Sequence, residues 1–305
     1  MATPTAKPAI DKFALVTANL VQLLEQGTLP WRQPWHSHDA PRNLITGHVY
    51  RGINPMLCQI DCLINRWERP LFVSFAQVKE QGWTIKKGAK STWIKWGGSG
   101  MKTTEREDGS VSKQFYTAAK WHNVFNIAWL DEAEGKPIGD FLVPQTQTPL
   151  TDSQKVEAIE RLLQCQQATV SFGGNQAFYV AGLDAIQLPH REAFETLGHF
   201  YATHIHELGH WTGHESRLGR DLSGAFGSAS YAREELVAEL SAAFVCNALS
   251  ITVQLEHHAS YLQYWLTLLK GSDQAFFKAA SQAQKAADWL LAGAGMTLGE
   301  TDQAG

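Results

Sequence analysis

Residues 203–217 read Thr-His-Ile-His-Glu-Leu-Gly-His-Trp-Thr-Gly-His-Glu-Ser-Arg and contain one H-E-x-x-H motif. Positions i and i+4 of a helix lie on one face, so His206 and His210 can direct ring nitrogens at one metal ion. Glu207 is placed to reach a water on that ion and to act as the general base. Zinc suits two imidazoles, a carboxylate and a water whose pKa falls to roughly 7. The motif therefore predicts a Zn²⁺ site, with Mn²⁺ or another divalent ion as the alternative.

The residues before the motif support a helical setting. Apolar side chains recur there at helical spacing, at Phe194, Leu197, Phe200, Tyr201, Ile205 and Leu208. This period predicts a buried amphipathic helix, which Gly213 can end. The context matters because an isolated H-E-x-x-H sequence also occurs by chance in unrelated helices.

A second helical segment, beginning at Tyr231, carries the candidates for a third ligand. Glu235 and Glu239 share one helical face, and Ala238 beside them allows another helix to approach closely. Carboxylates on an otherwise apolar helix are costly to bury unless they are paired or bound to metal. We therefore expect Glu235 to be the metal ligand and Glu239 to orient a ligand imidazole. Glu234 is expected to lie on a solvated helix face.

A competing arrangement uses His214 as the third ligand. Gly213 fits the glycine of the longer pattern H-E-x-x-H-x-x-G-x-x-H. The last histidine of that pattern would fall at position 216, which is Ser216. We therefore rank the glutamate arrangement first.

Composition predicts a chain of about two domains, since it has 305 residues and a hydrophobic fraction of 44%. Its four cysteines form no C-x-x-C pair and are expected to be reduced thiols of a cytoplasmic protein. Residues 1–8 are polar and proline-rich, so we expect no signal peptide. No run is long and apolar enough to predict a membrane span.

Charge divides the chain into two halves. Residues 1–130 have a net charge of +7 and eight of the eleven tryptophans, whereas residues 131–305 have a net charge of −11. This division predicts two domains with different partners. Residues 1–130 are expected to form a mixed α/β domain and residues 131–150 a linker. Residues 151–305 are expected to form a mainly helical domain with a small sheet, which gives an α+β protein.

The basic half interleaves aromatic and cationic residues, as surfaces that bind single-stranded nucleic acid do. Two prolines stiffen the loop from Leu29 to Trp35 and prevent regular structure there. The candidate single-stranded DNA contacts are Trp31, Arg32, Trp35, Arg42, Tyr50, Arg51, Lys86, Lys87, Lys90, Lys95 and Trp96. The alternative is that the tryptophans are core residues and the cations ordinary surface.

Local signals predict several further elements. Helices are expected at 11–26, at 54–66 with Asn54 as the cap, and from a capping box at Ser74. Short strands at 83–85 and 92–96 are expected around the basic turn Lys86–Lys90. Residues 97–112 are polar, glycine-rich and charged and predict a mobile hairpin loop, followed by one or two closing strands within 115–127. In the second half we expect a helix at 151–167, short strands at 168–172, 177–181 and 185–188, and helices at 256–270 and 273–291.

Several motifs in fixed order resemble the ArdC-type antirestriction proteins of conjugative plasmids. They are Leu29-Pro-Trp-Arg-Gln-Pro-Trp35, Tyr50-Arg-Gly-Ile-Asn54, Gly82-Trp-Thr-Ile-Lys-Lys-Gly88, the H-E-x-x-H stretch and Tyr231-Ala-Arg-Glu-Glu-Leu-Val-Ala-Glu239. The first half is also similar to the single-stranded DNA-binding region of TraC-type primases. The resemblance implies a single-stranded DNA-binding domain followed by a zincin-like metallopeptidase domain, in a protein that shields incoming plasmid DNA from host restriction during conjugation.

The same resemblance implies roles for the motif residues. His206 and His210 would be ligands and Glu207 the catalytic base, and the run from Glu235 to Glu239 is similar to the third-ligand helix of gluzincins. A strand within 178–188 could pair with an extended substrate, as in other zincins. Two functions stay open. In the first, the protein protects single-stranded DNA by occupying it; in the second, it is a zinc peptidase that cleaves a host restriction or regulatory protein and uses DNA binding only for delivery.

Overall fold

The computed structural model describes residues 11–32, 40–105, 111–132, 136–142, 151–249 and 259–296. These residues form two compact units. The first, here called the HExxH unit, comprises residues 11–32 together with 151–296. The second, the hairpin unit, comprises residues 40–142. Both helices and strands occur in the two units, which confirms the expected α+β class.

Helices and strands are interspersed along the chain. They are α1 (Lys12–Glu25), β1 (Arg42–Asn43), α2 (Asn54–Asn65), β2 (Leu71–Ser74), α3 (Phe75–Glu80), β3 (Thr84–Ile85), β4 (Thr92–Glu105), β5 (Val111–Asn126), β6 (Leu130–Asp131), α4 (Asp152–Cys165), β7 (Thr169–Phe172), β8 (Phe178–Val180), β9 (Ala185–Leu188), α5 (Leu197–Trp211), α6 (Ala229–Ala248), α7 (Ala259–Gly271) and α8 (Ala275–Gly293). Short 3₁₀ turns lie at Pro30–Arg32, Ile127–Trp129, Ile138–Phe141 and Arg191–Ala193.

The hairpin unit is built on a sheet with strand order β1-β2-β5-β4. Strand β1 is parallel to β2, and the other neighbours are antiparallel. Successive strand residues point to opposite faces, so Phe72 and the next residue, Val73, belong to two different buried clusters. Strands β3 and β4, which the sequence places on either side of one turn, are not paired with each other. Strand β3 pairs with β6 instead.

Strand β4 is much longer than the strand at 92–96 that the sequence predicts, whereas β5 largely matches the closing strands predicted within 115–127. Their register runs without a break from Thr92 opposite Val124 to Glu105 opposite Val111. The predicted hairpin is therefore present, but the described residues within 97–112 are paired strand and not loop. Backbone hydrogen bonds between two antiparallel strands stabilise a stretch whose polar, glycine-rich composition carries little strand signal of its own.

Asn54 does not cap its helix as predicted. Helix α2 begins at Asn54, and Ile53 precedes it without a side-chain cap. The Asn54 amide instead donates to the Lys95 carbonyl at 2.8 Å and accepts from the Lys95 backbone N–H at 2.7 Å. This pair of bonds attaches the start of α2 to β4. The predicted capping box at Ser74 is confirmed.

Helix α1 belongs to the HExxH unit and not to the hairpin unit. Leu20 and Leu24 of α1 are fully buried, and the Thr17 hydroxyl donates to the Asp273 carbonyl at 2.9 Å. Ile138 packs in the hairpin unit's core. The structure thus places the start of the predicted 1–130 domain with the second half, and part of the predicted 131–150 linker in the hairpin unit. These contacts join distant segments, which local sequence signals cannot show.

Helix α6 is the centre of the HExxH unit and packs against α5, α7 and α8. It is buried over most of its length, from Ala232 to Cys246. The small sheet has order β7-β9-β8, with β7 parallel and β8 antiparallel to β9. All four cysteines are free thiols, as expected. Among the described helices, none has the length and apolarity that a membrane crossing requires.

Candidate metal centre

Helices α5 and α6 come unusually close at Gly209. A Cβ built on Gly209 would lie 3.1 Å from Cα and 3.3 Å from the carbonyl oxygen of Ala238. Gly209 directly precedes His210, and Ala238 lies between Glu235 and Glu239. The small residues at this contact therefore allow the imidazoles of α5 to face the carboxylates of α6. This is the close approach that Ala238 suggested in the sequence.

The structure brings together His206, His210 and Glu235, the three predicted ligands. The Glu235 carboxylate oxygens lie 3.5 Å from His206 Nε2 and 3.6 Å from His210 Nε2. One ligand atom from each residue lies within 4.8 Å of the others. Ligands about 2.0–2.1 Å from a tetrahedral Zn²⁺ would be separated by about 3.3–3.5 Å. The two measured separations exceed ordinary hydrogen-bond lengths but fit this spacing.

Glu234 contacts the predicted ligand His210, a position that the sequence interpretation did not expect. Its side chain is 11% exposed, so the expected solvated position is wrong. Glu234 Oε1 lies 3.2 Å from His210 Nδ1, and the Arg220 guanidinium donates to both of its oxygens at 2.7 and 3.0 Å. Burial raises the Glu234 pKa, but His210 and Arg220 outweigh it and the net pKa is lowered. Glu234 is therefore a carboxylate that can orient the His210 ring.

Glu239 has the corresponding position beside His206, as expected. Its Oε2 lies 3.8 Å from His206 Nδ1, and this nitrogen is buried without a hydrogen-bond partner. Its Oε1 accepts from Trp31 Nε1 at 3.1 Å and from Arg32 Nε at 2.5 Å. The side chain of Glu239 is only 3% exposed. A buried carboxylate is therefore held by one cation and one indole, with its other oxygen towards the His206 imidazole.

Glu207 is buried on α5, the helix that carries His206 and His210, and it lies on the side of strand β8. The backbone of Tyr179 lies near the Glu207 carboxylate and acts to lower its pKa. Burial raises the Glu207 pKa, while the neighbouring His206 and His210 offset part of the effect. A carboxylate with a raised pKa is a better proton acceptor, which suits the predicted role of general base.

The ionisation of the candidate ligands is strongly coupled. Burial lowers the pKa of His206 and of His210, but the nearby glutamates outweigh it and both net pKa values are raised. Burial likewise raises the Glu235 pKa, yet His210 and His206 hold the net value well below its usual range. A cation that binds among these groups would compete with protons for the histidine nitrogens.

A cleft of about 750 Å³ opens over this group. One wall is strand β8 with Phe178 and Tyr179, and β8 pairs only with β9 among the described strands. The other wall contains Phe226, which is 71% exposed, and Tyr231, whose hydroxyl lies 3.0 Å from that of Tyr261. An edge strand facing aromatic side chains can accept an extended peptide by strand addition.

The loop after α5 is bonded to the turn between β8 and β9 and thereby holds β8 in position. The Arg217 guanidinium pairs with Asp184 in the turn between β8 and β9, and it lies over the Trp211 ring at 3.8 Å from the centroid. Tyr179 also donates to Asp184 at 2.8 Å. His214 Nδ1 is 2.8 Å from the Ser216 hydroxyl, and His214 is absent from the ligand group of the described residues. The geometry thus favours Glu235 over the alternative ligand His214.

Three of the predicted DNA contacts are placed where they cannot stack or pair with DNA. Trp31 is 1% exposed and packs against Trp265 and Phe276 of the HExxH unit. Arg32 is paired with Glu239, and Tyr50 is buried in the hairpin unit's core. The prediction that these three residues form part of an exposed surface is therefore corrected. The sequence pattern could not distinguish exposed side chains from buried or paired ones. Trp35 lies outside the described residues.

The other predicted contacts lie in the hairpin unit. Lys86, Lys87 and Lys90 are exposed, whereas the remaining ones are partly buried, namely Arg42, Arg51, Lys95 and Trp96. No single cluster joins all seven. Lys95 and Trp96 lie on β4, and the lysines lie in the turn between β3 and β4.

Strand pairing adds further aromatic and basic residues that the sequence interpretation missed. Lys95 lies opposite Trp121, with its ammonium 5.6 Å from the indole centroid. Trp96 lies opposite the exposed Lys120, and its ring is 6.0 Å from that of His122. Because side chains alternate along a strand, the two faces of the hairpin each combine an indole with a cation or imidazole. The run Lys120-Trp121-His122 is the sequence feature from which these residues could have been predicted.

Comparison with known proteins identifies both halves of the chain. Residues 11–125 match the model of the N-terminal domain of the anti-restriction factor ArdC, and residues 157–282 match that of a zincin-like metallopeptidase. The uncharacterized protein y4eC of Sinorhizobium fredii is 30% identical over 304 residues, covering 94% of both chains. The DNA primase TraC of Escherichia coli is 33% identical over 292 residues, but this match covers 91% of the chain and only 20% of TraC.

Two solved structures show the same similarity over nearly the full length. The metal-free structure of the antirestriction protein ArdC from plasmid R388 has a TM-score of 0.70 and 30% identity, covering 94% of this chain and 98% of that one. Its Mn(II)-bound structure has a TM-score of 0.71 and 31% identity, covering 93% and 98%. With both domain models in the same order, these matches establish that the chain belongs to the ArdC family of antirestriction proteins.

Proposed function

We propose that this protein binds single-stranded DNA non-specifically through its hairpin unit and thereby protects incoming plasmid DNA from restriction during conjugation. The observation that carries the proposal is the pair of mixed faces on β4 and β5, where Trp121 lies beside Lys95 and Trp96 beside His122. Bases stack on indole rings at about 1–3 kcal/mol per base, while lysines neutralise phosphates. The similarity to the DNA primase TraC supports a DNA partner.

Replacement of Trp121 by alanine in the full-length protein tests this surface. Loss of one stacked base corresponds to about 5- to 150-fold weaker binding of a fluorescent single-stranded oligonucleotide. Trp289→Ala is the matched control, because Trp289 is a partly exposed indole of the HExxH unit. Affinity should also fall with salt by a log–log slope of about 0.7 per neutralised phosphate. Equal affinities for single strands and duplex, or no effect of Trp121→Ala, would contradict the proposal.

A second candidate function is hydrolysis of a peptide bond in a host restriction or regulatory protein. It is favoured by the spacing of Glu235 from His206 and His210, which fits a divalent ion of the size of Zn²⁺ or Mn²⁺. The Mn(II)-bound structure of the R388 relative supports a divalent ion. When bound, the ion would supply Lewis acidity at the scissile carbonyl and its attacking water.

The chain's own residues divide the remaining work. Glu207 would accept the proton of the attacking water, and its buried position keeps the carboxylate basic. The free edge of β8 would align an extended peptide through backbone hydrogen bonds. Glu234 and Glu239 would hold the two imidazoles in the required orientation.

The variant Glu207→Ala separates the two candidate functions. It removes the proposed base but none of the three proposed ligands, so metal content and oligonucleotide affinity should stay at the level of the unmodified protein. If transferred plasmid DNA is still protected from restriction in cells carrying this variant, occupancy of DNA suffices. If protection is lost while DNA binding is retained, hydrolysis is the protective activity.

A further inference from the structure

We infer that Trp31 and Arg32 are positioning residues of the metal centre, acting on His206 through Glu239. This inference rests on the proposed metal site and extends it to the N-terminal segment. The zincin-like domain model covers residues 157–282 and leaves both residues out, whereas the model of the N-terminal ArdC domain, residues 11–125, includes them. The metal centre would therefore be completed by residues that sequence comparison assigns to the other domain.

Trp31 and Arg32 contact only one of the two carboxylate oxygens of Glu239. Trp31 Nε1 and Arg32 Nε both donate to the same oxygen of Glu239, Oε1, at 3.1 and 2.5 Å. The second oxygen, Oε2, remains on the side of His206, 3.8 Å from Nδ1. Two donors on one oxygen fix the plane of the carboxylate and leave Oε2 as the acceptor that faces the buried Nδ1, which has no hydrogen-bond partner. A carboxylate in this position fixes the ring orientation and strengthens a histidine ligand.

Charge gives the contact a second role. Glu239 is 3% exposed and lies on the buried part of α6, where an unpaired carboxylate is costly. Arg32 is 11% exposed and supplies the positive charge next to it. An arginine is suited to this task because its guanidinium stays charged even when buried.

The N-terminal segment is attached firmly enough to hold this position. Trp31 is enclosed by Trp265 at 5.7 Å and Phe276 at 6.5 Å between ring centroids. Upstream, the rings of Phe13 and Phe277 meet edge to face at 4.8 Å. A side chain used for positioning must itself be locked by packing, and Trp31 meets that condition.

Titration of the full-length protein with Zn²⁺ against a chromophoric chelator tests the inference. Arg32→Met should weaken Zn²⁺ binding by about 10- to 100-fold, the range seen when such outer partners are removed. Trp31→Phe keeps an aromatic ring but removes the N–H, and should give a smaller loss of about 3-fold. Lys270→Met is the control, because it removes the exposed Lys270–Glu25 pair between α7 and α1 without touching Glu239.

A double-mutant cycle distinguishes positioning from general damage. In a Glu239→Gln background, Arg32→Met should cause little further loss of Zn²⁺ affinity, because the group through which it acts is already changed. Independent, additive losses would overturn the inference, as would unchanged affinity in both Arg32→Met and Trp31→Phe. If Arg32→Met does not fold, Trp31→Phe alone decides between the two outcomes. Failure of the unmodified protein to bind Zn²⁺ or Mn²⁺ would instead contradict the proposed metal site.

Discussion

At the scale of single residues, the three carboxylates of α6 that lie near the imidazoles differ in their neighbours. Glu235 faces both imidazoles at 3.5 and 3.6 Å, while Glu234 contacts His210 and Glu239 faces His206. Glu234 forms an ion pair with Arg220, and Glu239 forms one with Arg32. The site therefore holds its imidazoles from both sides, and each carboxylate is compensated by a cation or a histidine.

We predict that Glu234→Gln lowers metal affinity by about 10- to 100-fold, because an amide is a weaker partner for His210 Nδ1–H than a carboxylate. The measurement is Zn²⁺ competition on the folded variant. Glu157→Gln, an exposed glutamate of α4, is the charge-matched control and should bind as the unmodified protein does. An unchanged affinity in Glu234→Gln would show that His210 needs no carboxylate for its orientation.

We predict that Asp61→Asn stabilises the protein at neutral pH. Burial raises the pKa of Asp61 from 3.8 to about 6, with Thr92 and Lys90 offsetting part of the effect. Between these two values the folded state holds a proton that the unfolded state has released, so stability falls as pH rises through this window. The cost above pH 6 is up to about 3 kcal/mol.

Urea unfolding at a series of pH values measures this effect. The unmodified protein should lose stability from pH 4 towards pH 6 relative to Asp61→Asn, and the difference should stay constant above that range. Asp152→Asn, at an exposed position of α4, provides the control for loss of a carboxylate. A difference that is independent of pH would disprove the assignment to Asp61.

At the scale of elements, the metal centre depends on the distance between two helices. Gly209 of α5 lies against Ala238 of α6, so the helix backbones meet without side chains between them. The imidazoles project from one helix and the carboxylates from the other. A change in helix separation therefore alters every donor distance at once.

We predict that Gly209→Ala weakens metal binding by about 10-fold and lowers stability by about 1–3 kcal/mol, as overpacking of a close contact does. The added methyl would lie 3.1 Å from Cα, 3.3 Å from the carbonyl oxygen and 3.4 Å from Cβ of Ala238, and none of these three atoms can rotate away. Gly271→Ala is the control, because nothing lies within 4 Å of its added Cβ. Thermal unfolding with and without Zn²⁺ measures both effects; full Zn²⁺ affinity in Gly209→Ala would contradict the role of helix spacing.

At the scale of the whole molecule, the two units have separate cores and separate chemistry. The ligand group and the cleft lie entirely in the HExxH unit, while the paired indoles and lysines of β4 and β5 lie in the hairpin unit. A ligand that binds one folded unit stabilises that unit by mass action. The two proposed activities can therefore be measured separately on the intact chain.

We predict two unfolding transitions in calorimetry, of which Zn²⁺ or Mn²⁺ raises only that of the HExxH unit. At a free ion concentration 100 times the Kd, the gain is about 2.7 kcal/mol. An oligonucleotide should raise the other transition. The double variant His206→Ala, His210→Ala should abolish the response to metal and retain the response to DNA. A single transition that moves with either ligand would show that the units unfold together.

The sequence by itself determined the helix that carries His206, Glu207 and His210 and the helix that carries Glu235, since both follow from the helical period. Such periods and caps depend only on residues a few positions apart, so they can be read locally. Only the tertiary structure decided that Glu234 is buried beside His210, and that Trp31 and Arg32 contact a carboxylate more than 200 residues away. It also decided the length of the β4–β5 pair, because strand pairing stabilises residues whose own composition favours a loop. Long-range packing determines which polar groups are buried together, and a local pattern does not contain that information.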